Sequence, residues 1–405
     1  MFEVKPFKIG PLTVEMPVVL AALAGYSDLP YRRICRECGV SYCTTEAMLD
    51  KTMIDDRLRR RLVKIGADDH PVAAQIMGSG PETMAKAAGL LAGMGFDVID
   101  LNFACPVRKV LGRHRGGYLM GQSETVIEII RAVMHAVRDR PITIKLRRAF
   151  HEDDTDYESF WRISQAAFDA GVAAICVHAR SVDQKYMGQA DWGFLRKVKE
   201  RYPTQTIVGS GDVFSAADAL AMLAQTGVDG VSAARGAIGN PWLFRQVRQL
   251  LADGFDPRTL PPKGPPANSL QMPSPRRAVE FEAQDDQADV AAAMTQGVDA
   301  SAPQPAAQEA DDACDREPAA AWGVGCPCPQ PPMLYKPTVA EQRDILLRHF
   351  AMTCEVYGAG HGPKIMRKFG IKYARAHPTP GKVRAAFVAV QNLQDWQAVL
   401  DTYYG

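Results

Sequence analysis

The sequence predicts a (β/α)₈ TIM barrel followed by a smaller all-helical C-terminal domain. Short apolar runs alternate with longer amphipathic stretches from residue 16 to about residue 252, and there are eight such runs. Eight alternating strand–helix units in one domain are typical of this barrel. A doubly wound sheet is the alternative, but Ala24-Gly25-Tyr26 follows the first strand where such a sheet carries a glycine-rich fingerprint.

The elements of the barrel are bounded by turn and capping residues. The predicted strands are Val18–Ala22, Tyr42–Ala47, Val72–Met77, Val98–Leu101, Ile142–Lys145, Ala174–Val177, Thr206–Val208 and Gly230–Ala233. The predicted helices include Pro81–Met94, Glu124–Val137, Tyr157–Ala170, Ser215–Gln225 and Pro241–Leu251. Gly80-Pro81 begins one helix, Ser215 caps another, and Gly171 and Gly227 end two.

The chain divides into a barrel domain (1–255), an insertion (256–336) and a helical domain (337–405). Residues 257–335 are rich in Pro and Ala and carry 11 acidic against 5 basic side chains, which predicts a disordered acidic insertion. Because the whole chain has a net charge of +1, the remainder is basic and suits a polyanion.

Three helices are predicted in the last domain: Val339–Tyr357, Pro363–Ala376 and Gly381–Tyr404. The second helix has a basic stripe, which by itself reads as a solvated face. The stripe consists of Lys364, Arg367, Lys368, Lys372 and Arg375.

Nine scattered cysteines form no regular framework, so we expect a reduced cytoplasmic protein with no metal site. The charged N-terminal residues show no signal peptide, and no apolar run reaches the length of a membrane span.

Polar residues follow nearly every predicted strand at the same relative place. They are Glu46, Gln75, Asn102 with Cys105, Lys145, His178, Asp212 and Arg235. Working groups of barrel enzymes lie where strands end, so these residues predict one site built from most of the barrel.

The loops after strands seven and eight are glycine-rich. Gly209-Ser210-Gly211-Asp212 and Ala234-Arg235-Gly236 stand where such barrels bind phosphate, and Arg235 adds a fixed charge. We therefore expect a cofactor that carries a phosphate group.

Lys145 and Cys105 are the candidates for chemistry. Lys145 ends its strand among apolar residues, where its ammonium needs an anionic or carbonyl partner such as a flavin ring; a Schiff-base lysine is the other interpretation. Cys105 precedes Pro106 in a loop, where a thiol is a nucleophile or a general acid. A basic run follows it, composed of Arg108, Lys109, Arg113, His114 and Arg115, and it suits the phosphates of a polymer.

Several motifs together resemble the signature of the tRNA-dihydrouridine synthases, in their bacterial branch. They are Asn102-Phe-Ala-Cys-Pro106, Gly116-Gly-Tyr-Leu119, Ala24-Gly-Tyr-Ser-Asp28, His178-Ala-Arg180, Tyr186-Met-Gly188, Gly211-Asp212 and Arg235-Gly-Ala-Ile-Gly-Asn-Pro-Trp242. The likeness covers residues 15–252 and extends weakly into the helical domain.

The resemblance implies an FMN enzyme, reduced by NADPH, that passes a hydride to C6 of a uridine in tRNA while Cys105 protonates C5. The residues expected to hold FMN are Ala22, Leu23, Ala24, Gln75, Lys145, His178, Ser210, Gly211, Asp212, Ala234 and Arg235. The residues expected to contact RNA are Asn102, Arg108, Lys109, Arg180, Lys364, Arg367 and Lys368. A monomer is expected.

Two other functions fit the sequence. An FMN barrel could reduce a small pyrimidine or enone, although such an enzyme would not need the basic helical domain. An RNA-binding paralogue with impaired flavin binding is the other alternative, because Ala22, Leu23, Ser210 and Ala234 depart from the pattern of the family.

Overall fold

The computed structural model describes residues 2–154, 157–264 and 334–405. Its strands are β1 Phe7–Ile9, β2 Leu12–Val14, β3 Val18–Leu20, β4 Cys43–Thr44, β5 Met48–Leu49, β6 Val72–Met77, β7 Val98–Asn102, β8 Ile142–Arg147, β9 Ala174–His178, β10 Ile207–Ser210 and β11 Gly230–Ala233. Its barrel helices are α1 Leu29–Glu37, α2 Asp50–Ile54, α3 Asp56–Leu62, α4 Pro81–Ala92, α5 Arg108–Leu111, α6 Ser123–Ala136, α7 Glu158–Asp169, α8 Trp192–Arg201, α9 Ala216–Thr226 and α10 Leu243–Ala252.

Eight parallel strands close into a barrel, which confirms the predicted fold class. The order around the barrel is β3, β4, β6, β7, β8, β9, β10 and β11, after which β11 pairs again with β3 through Val231 and Val18. The strands are buried on both faces and the helices lie outside, so the apolar runs in the sequence are nearly continuous.

Within the second predicted strand, Tyr42–Ala47, only β4 at Cys43–Thr44 is a strand, and a separate short strand, β5, follows at Met48–Leu49. Between them the Thr45 hydroxyl accepts a hydrogen bond from the Gln75 N–H at 3.1 Å, and the Glu46 carboxylate accepts one from the Gly25 N–H. The single run was a wrong prediction because these two polar side chains bind neighbouring backbone.

An antiparallel hairpin, β1–β2, covers the amino-terminal end of the barrel and was not predicted. Phe7 and Ile9 pack with the first residues of several barrel strands. A Cβ atom on Gly230 would lie 2.7 Å from the Phe7 ring, so glycine permits this contact. Strands of three residues are too short to show a period in the sequence.

The predicted helices of the barrel are present, with ends shifted by one or two residues. Ser215 and Asp218 form a capping box at the start of α9, which satisfies two N–H groups that would otherwise lack partners. The sequence prediction omitted α2, α3, α5 and α8; α8 is capped by Asp191 and buries Trp192, Leu195 and Val198.

The C-terminal domain consists of α11 Val339–Tyr357, α12 Gly362–Tyr373, α13 Pro380–Ala389 and α14 Leu393–Tyr403. The last predicted helix, Gly381–Tyr404, is therefore two helices. The chain leaves the helix at Val390, and the Asn392 side chain then caps α14 by accepting from the Asp395 N–H at 3.0 Å.

Aromatic side chains join the helical domain to the barrel in one hydrophobic core. The Tyr31 ring on α1 lies 5.2 Å from that of Phe369 and 5.6 Å from that of His349, and Trp242 lies 5.9 Å from Tyr373. Each fully buried large apolar side chain contributes about 1.5–3 kcal/mol, so this contact holds the two parts firmly together.

The edges of the predicted insertion pack on the barrel. Asp256 caps a short 3₁₀ helix at Pro257–Thr259, and the Lys263 ammonium pairs with Asp218. On the other side the Tyr335 N–H donates to Gln249 Oε1 at 2.7 Å. The residues at both edges of the predicted insertion thus have defined contacts, and the rest of that prediction concerns 265–333, which lie outside the described residues.

Among the described helices, none combines the length and the apolar character needed to cross a membrane.

Candidate active site

A cluster of charged side chains lies where β9, β10 and β11 end. Asp212 Oδ1 and Oδ2 accept from Arg180 Nη2 at 2.7 and 2.8 Å, and Asp212 Oδ1 is 3.5 Å from Arg235 Nη2. Because two guanidinium groups share one carboxylate, the cluster keeps one net positive charge. That charge attracts an anion.

Arg180 also retains an unused donor. Its Nε and Nη2 donate to the carbonyl groups of Met187 and Gly188 at 3.0 and 2.5 Å, but its buried Nη1 has no hydrogen-bond partner in the described chain. An unsatisfied buried donor costs about 1–3 kcal/mol. The charged arginine and this free N–H fit an anionic group such as a phosphate.

His178 is a neutral imidazole at the end of β9. Its pKa lies well below the ordinary value because the ring is buried, with the positive charges of Arg147 and Lys145 adding to the effect. Nδ1 accepts from the Arg180 backbone N–H at 3.3 Å, so the ring proton is assigned to Nε2. The site thus gains a neutral donor at Nε2.

The glycines of the last two loops pack against protein atoms. A Cβ on Gly209 would lie 2.8 Å from Met222 Sδ, one on Gly211 would lie 2.7 Å from Ala190 Cβ, and one on Gly236 would lie 2.5 Å from the Val213 carbonyl oxygen. Protein atoms therefore already fill the Cβ side of these glycines, so a larger residue would not fit there; the expected approach of their backbone N–H groups to an anion stays a prediction. The glycines allow neighbouring loops and α9 to approach.

Several hydrogen bonds fix the loop that carries Cys105. Asn102 Oδ1 accepts from the N–H groups of Ala104 and Cys105 at 2.9 and 3.1 Å. Arg147 Nε donates to the Ala104 carbonyl at 2.8 Å, and the Gly117 N–H donates to the Cys105 carbonyl at 2.9 Å. The thiol is therefore held in a defined place after β7.

Cys105 remains a protonated thiol at neutral pH. Burial raises its pKa above the ordinary value, while a backbone hydrogen bond from Val107 and the charge of Arg147 act in the opposite direction. Gly116 is close enough that a Cβ would lie 2.9 Å from Cys105 Cβ, so this loop has no room for a larger residue. These features suit a proton donor better than a nucleophilic thiolate.

Tyr186 connects the Cys105 loop with the charged cluster. The guanidinium of Arg147 lies 5.9 Å from the centre of its ring, and that of Arg235 lies 5.4 Å from it. No site role was predicted for Arg147. The signal was present, because it lies two residues after Lys145 and so faces the same side of β8.

Lys145 donates to Cys176 Sγ at 3.4 Å, across the β8–β9 pair in which the two residues are direct neighbours. We expected an anion or a carbonyl group as its partner; in the described chain the ammonium donates to this thiol, and the Asp100 carboxylate is near enough for the two charges to interact. A cavity of about 40 Å³ lies beside it on the barrel axis. Its lining includes Ala22, Gln75, Asp100, Thr143, Lys145, Cys176 and Ser232.

The other predicted cofactor residues lie at strand ends on the same side. Leu23 exchanges hydrogen bonds with Ser27, whose hydroxyl accepts from the Leu23 N–H at 2.9 Å. Ala24 is exposed, Ser210 is buried at the end of β10, and Ala234 begins the short 3₁₀ helix at Arg235–Ala237.

The predicted RNA contacts differ in exposure. Arg108 and Lys109 on α5 are exposed directly after the Cys105 loop, and Lys364 is exposed on α12. Arg367 is half-buried, and the Lys368 ammonium lies 5.6 Å from the centre of the Tyr26 ring. Lys368 and the buried Lys372 turn toward the barrel. The interpretation of the basic stripe as a solvated face was therefore wrong for these two residues.

Known proteins share this sequence pattern. The family model described as dihydrouridine synthase (Dus) matches residues 19–273. A probable tRNA-dihydrouridine synthase of Treponema pallidum is 35% identical over 259 residues, which cover 62% of this chain and 75% of that protein. A tRNA-dihydrouridine synthase B of Xanthomonas campestris is 35% identical and covers 61% and 73%, respectively.

The similarity to a third protein extends into the C-terminal part. A probable tRNA-dihydrouridine synthase of Mycobacterium tuberculosis is 28% identical over 409 residues, with 98% of this chain and 85% of that protein covered.

Solved structures share the fold. A 2-naphthoyl-CoA reductase has a TM-score of 0.51 at 14% identity, with 60% of this chain and 52% of that chain covered. An amine oxidase for 6-hydroxypseudooxynicotine from Pseudomonas geniculata has a TM-score of 0.51 at 15% identity, with 62% and 49% covered. This chain therefore spans about half the length of each of these two proteins.

Proposed function

The chain belongs to the dihydrouridine synthase family, and on that premise we propose how it carries out the flavin-dependent reduction of a uridine in tRNA. The cofactor is FMN, NADPH is the electron donor, and Cys105 is the general acid. The observation that carries this proposal is the protonated Cys105 thiol, held after β7 and connected through Arg147 and Tyr186 to the charged cluster.

The residues around the charged cluster would hold the FMN phosphate. Arg235 and the unused Arg180 Nη1 supply positive charge and a free donor, while Asp212 keeps the two guanidinium groups in position. Asp212 therefore contributes through the arginines, since a carboxylate repels a phosphate. We keep Ala22, Leu23, Ala24, Gln75, Lys145, His178, Ser210, Gly211 and Ala234 as the remaining residues of the cofactor site.

The reaction divides between cofactor and protein. When bound, the reduced flavin supplies the hydride that adds to C6 of the uracil. The Cys105 Sγ–H bond then breaks as its proton forms the new C–H bond at C5, and the thiolate left behind takes up a proton from solvent. Arg147 lies close enough to stabilise that thiolate.

The target uridine has to leave its stack to reach this site. Arg108 and Lys109 are exposed beside the Cys105 loop, where they would contact phosphates of the tRNA, and Lys364 and Arg367 would contact it from α12. Asn102 has its oxygen engaged with the loop, so it would offer the uracil only its second amide hydrogen. The enzyme acts as a monomer in this proposal.

Replacing Cys105 tests the role of the acid. We expect Cys105→Ala to retain its flavin and to lose at least about 100-fold of its turnover on tRNA, because general acid catalysis contributes about 10²–10⁴-fold. The measurement is flavin absorbance together with dihydrouridine in nuclease-digested tRNA. Cys354→Ala, another half-buried cysteine in the helical domain, is the matched control.

Two outcomes would contradict the proposal. Turnover of Cys105→Ala on tRNA equal to that of the unchanged chain would remove Cys105 from the reaction. Reduction of free uridine with no reduction of tRNA would replace the RNA substrate with a small pyrimidine.

A further inference from the structure

A line of hydrogen bonds crosses three neighbouring strands and ends at the Cys105 loop. Asp100 on β7 accepts from Gln75 Nε2 on β6 and from Thr143 Oγ1 on β8, each at 2.6 Å. Gln75 Oε1 accepts from Asn102 Nδ2 at 2.6 Å. Asn102 Oδ1 then accepts from the N–H groups that begin the loop.

The donors and acceptors along this line allow only one orientation of the Gln75 and Asn102 side-chain amides. An ionised carboxylate can only accept, so Gln75 must turn its amide nitrogen toward Asp100 and its oxygen toward Asn102. Asn102 must then donate with its nitrogen, which leaves its oxygen for the two loop N–H groups. A reversed Gln75 would set its carbonyl oxygen against the Asp100 carboxylate.

Asp100 is buried, with 7% of its surface exposed, and its hydrogen-bond partners are neutral side chains. Burying a carboxylate is costly, and a leucine would fill the same space at lower cost. Packing alone therefore does not account for an acid at this position, whereas its two accepted hydrogen bonds and the nearby positive charge of Lys145 do.

We propose that Asp100 is a positioning residue that fixes the Cys105 loop through Gln75 and Asn102. Asp100 acts on the proton donor without touching the substrate. This inference rests on the proposed role of Cys105. It also connects the two amide side chains predicted to lie at the flavin and at the uracil with the thiol that completes the reaction.

Three variants separate this role from packing. Asp100→Leu removes both acceptor oxygens at similar size and leaves Gln75 Nε2 without a partner. Asp100→Asn keeps the line, because its oxygen accepts from Gln75 while its nitrogen donates to the Thr143 hydroxyl. Thr143→Val is the matched control, because it removes the other bond of the same carboxylate and leaves the bond to Gln75.

Deuterium uptake by the amides of Ala104 and Cys105, measured by mass spectrometry, reports on the loop directly and needs neither flavin nor tRNA. We expect Asp100→Leu to raise the exchange rate of these amides about 10-fold, as the loss of one buried hydrogen bond implies. Asp100→Asn and Thr143→Val should stay within about 3-fold of the unchanged chain.

A second readout is the rate at which tRNA reoxidises the reduced, flavin-loaded enzyme. Asp100→Leu should slow this step about 10-fold or more, because misplacement of a catalytic group is costly, and Asp100→Asn should restore it. Reduction of the flavin by NADPH, in which Cys105 takes no part, should change much less.

Unchanged exchange at Ala104 and Cys105 in Asp100→Leu would overturn the proposal. Equal effects of Asp100→Leu and Thr143→Val would also overturn it, because they would indicate packing alone. If Asp100→Leu does not fold, Gln75→Met interrupts the same line of hydrogen bonds between Asp100 and Asn102. Unchanged exchange at Ala104 and Cys105 in that variant would also overturn the proposal. A Cys105→Ala enzyme that still turns over would sink the proposed function but leave the exchange result standing.

Discussion

At the scale of single residues, burial decides which groups hold protons at neutral pH. Burial raises the pKa of Cys105 and lowers that of His178, so the thiol is protonated and the imidazole is neutral. Burial also lowers the pKa of His349, in the helical domain, to about 3. The first two effects concern the reaction, whereas the third concerns stability.

The pH dependence of tRNA reduction should distinguish an acid from a nucleophile. Because the reactive form of Cys105 is the thiol, we expect the rate of reoxidation by tRNA to be flat at neutral pH and to fall above the ordinary thiol pKa of about 8.5. A nucleophilic thiolate would give a rate that rises over the same range. Stopped-flow measurement of flavin reoxidation between about pH 6 and pH 10, a range that lies on both sides of that value, decides the sign.

His349 should make the protein sensitive to acid. Its ring is buried among Tyr31, Phe369 and Tyr373, with Nε2 lacking a partner in the described chain. The folded pKa of about 3 lies below the unfolded value of about 6.5, so its contribution is complete above pH 6.5 and is lost as pH falls toward 3.

The unchanged chain should lose unfolding free energy as the pH falls from about 7 to about 5. In His349→Phe we expect this loss to be smaller by about 2 kcal/mol, because the buried histidine is gone. Urea unfolding at the two pH values measures this difference. His361→Gln, at an exposed histidine, is the control and should follow the unchanged chain. Equal pH dependence of the unfolding free energy in all three proteins would show that His349 does not cause the acid sensitivity.

At the scale of elements, the sequence pattern was sufficient where burial is continuous. Strand β6 is buried along its whole length and was predicted with its observed ends. The pattern missed the hairpin β1–β2 and gave β4 the wrong ends. These strands are only two or three residues long, too short for a clear alternation in the sequence. The pattern also does not show that the Cβ side of Gly209 faces Met222, because that contact joins β10 to α9 in the folded chain.

The positions of the candidate site residues could be predicted from the sequence, but many of the side chains that they contact could not. Cys105, His178, Asp212 and Arg235 follow strand ends, which the alternation of strands and helices had already indicated. The roles of Asp100 and Arg147 depend on the register of adjacent strands, which places Asn102 beside Lys145 and Arg147 beside His178. Register is a property of the folded sheet.

Gly239 should control how the helical domain docks. It has a φ of +66°, and a Cβ there would lie 2.4 Å from the backbone carbonyl carbon of Lys372 on α12. We expect Gly239→Ala to lower the unfolding free energy by about 2–4 kcal/mol, since both backbone strain and overlap contribute.

Gly254→Ala provides the matched control for that variant. Gly254 has a similar φ of +73°, but no atom lies within 4 Å of its added Cβ, so only strain contributes, at about 1–2 kcal/mol. Urea unfolding measures both variants. Equal losses would mean that contact with α12 plays no part.

At the scale of the whole molecule, charge is divided between parts of the chain. Residues 257–335 hold more acids than bases, so the barrel and the helical domain carry the excess of positive charge. Neither the docking of α12 against the first barrel loop nor the direction of Lys368 followed from the charge pattern. Both depend on contacts between segments more than 300 residues apart.

The exposed basic residues after the Cys105 loop should contribute to tRNA affinity by releasing counterions. We expect the double variant Arg108→Gln/Lys109→Gln to reduce the slope of log Kd against log salt by about 2, because each lost phosphate contact removes about 1. The double variant Arg131→Gln/Lys197→Gln removes the same charge from exposed positions on the outer helices α6 and α8 and should leave the slope nearly unchanged. Filter binding of tRNA across a salt series gives both slopes. A similar small decrease in both would mean that only net charge matters, and the RNA would then not pass beside Cys105.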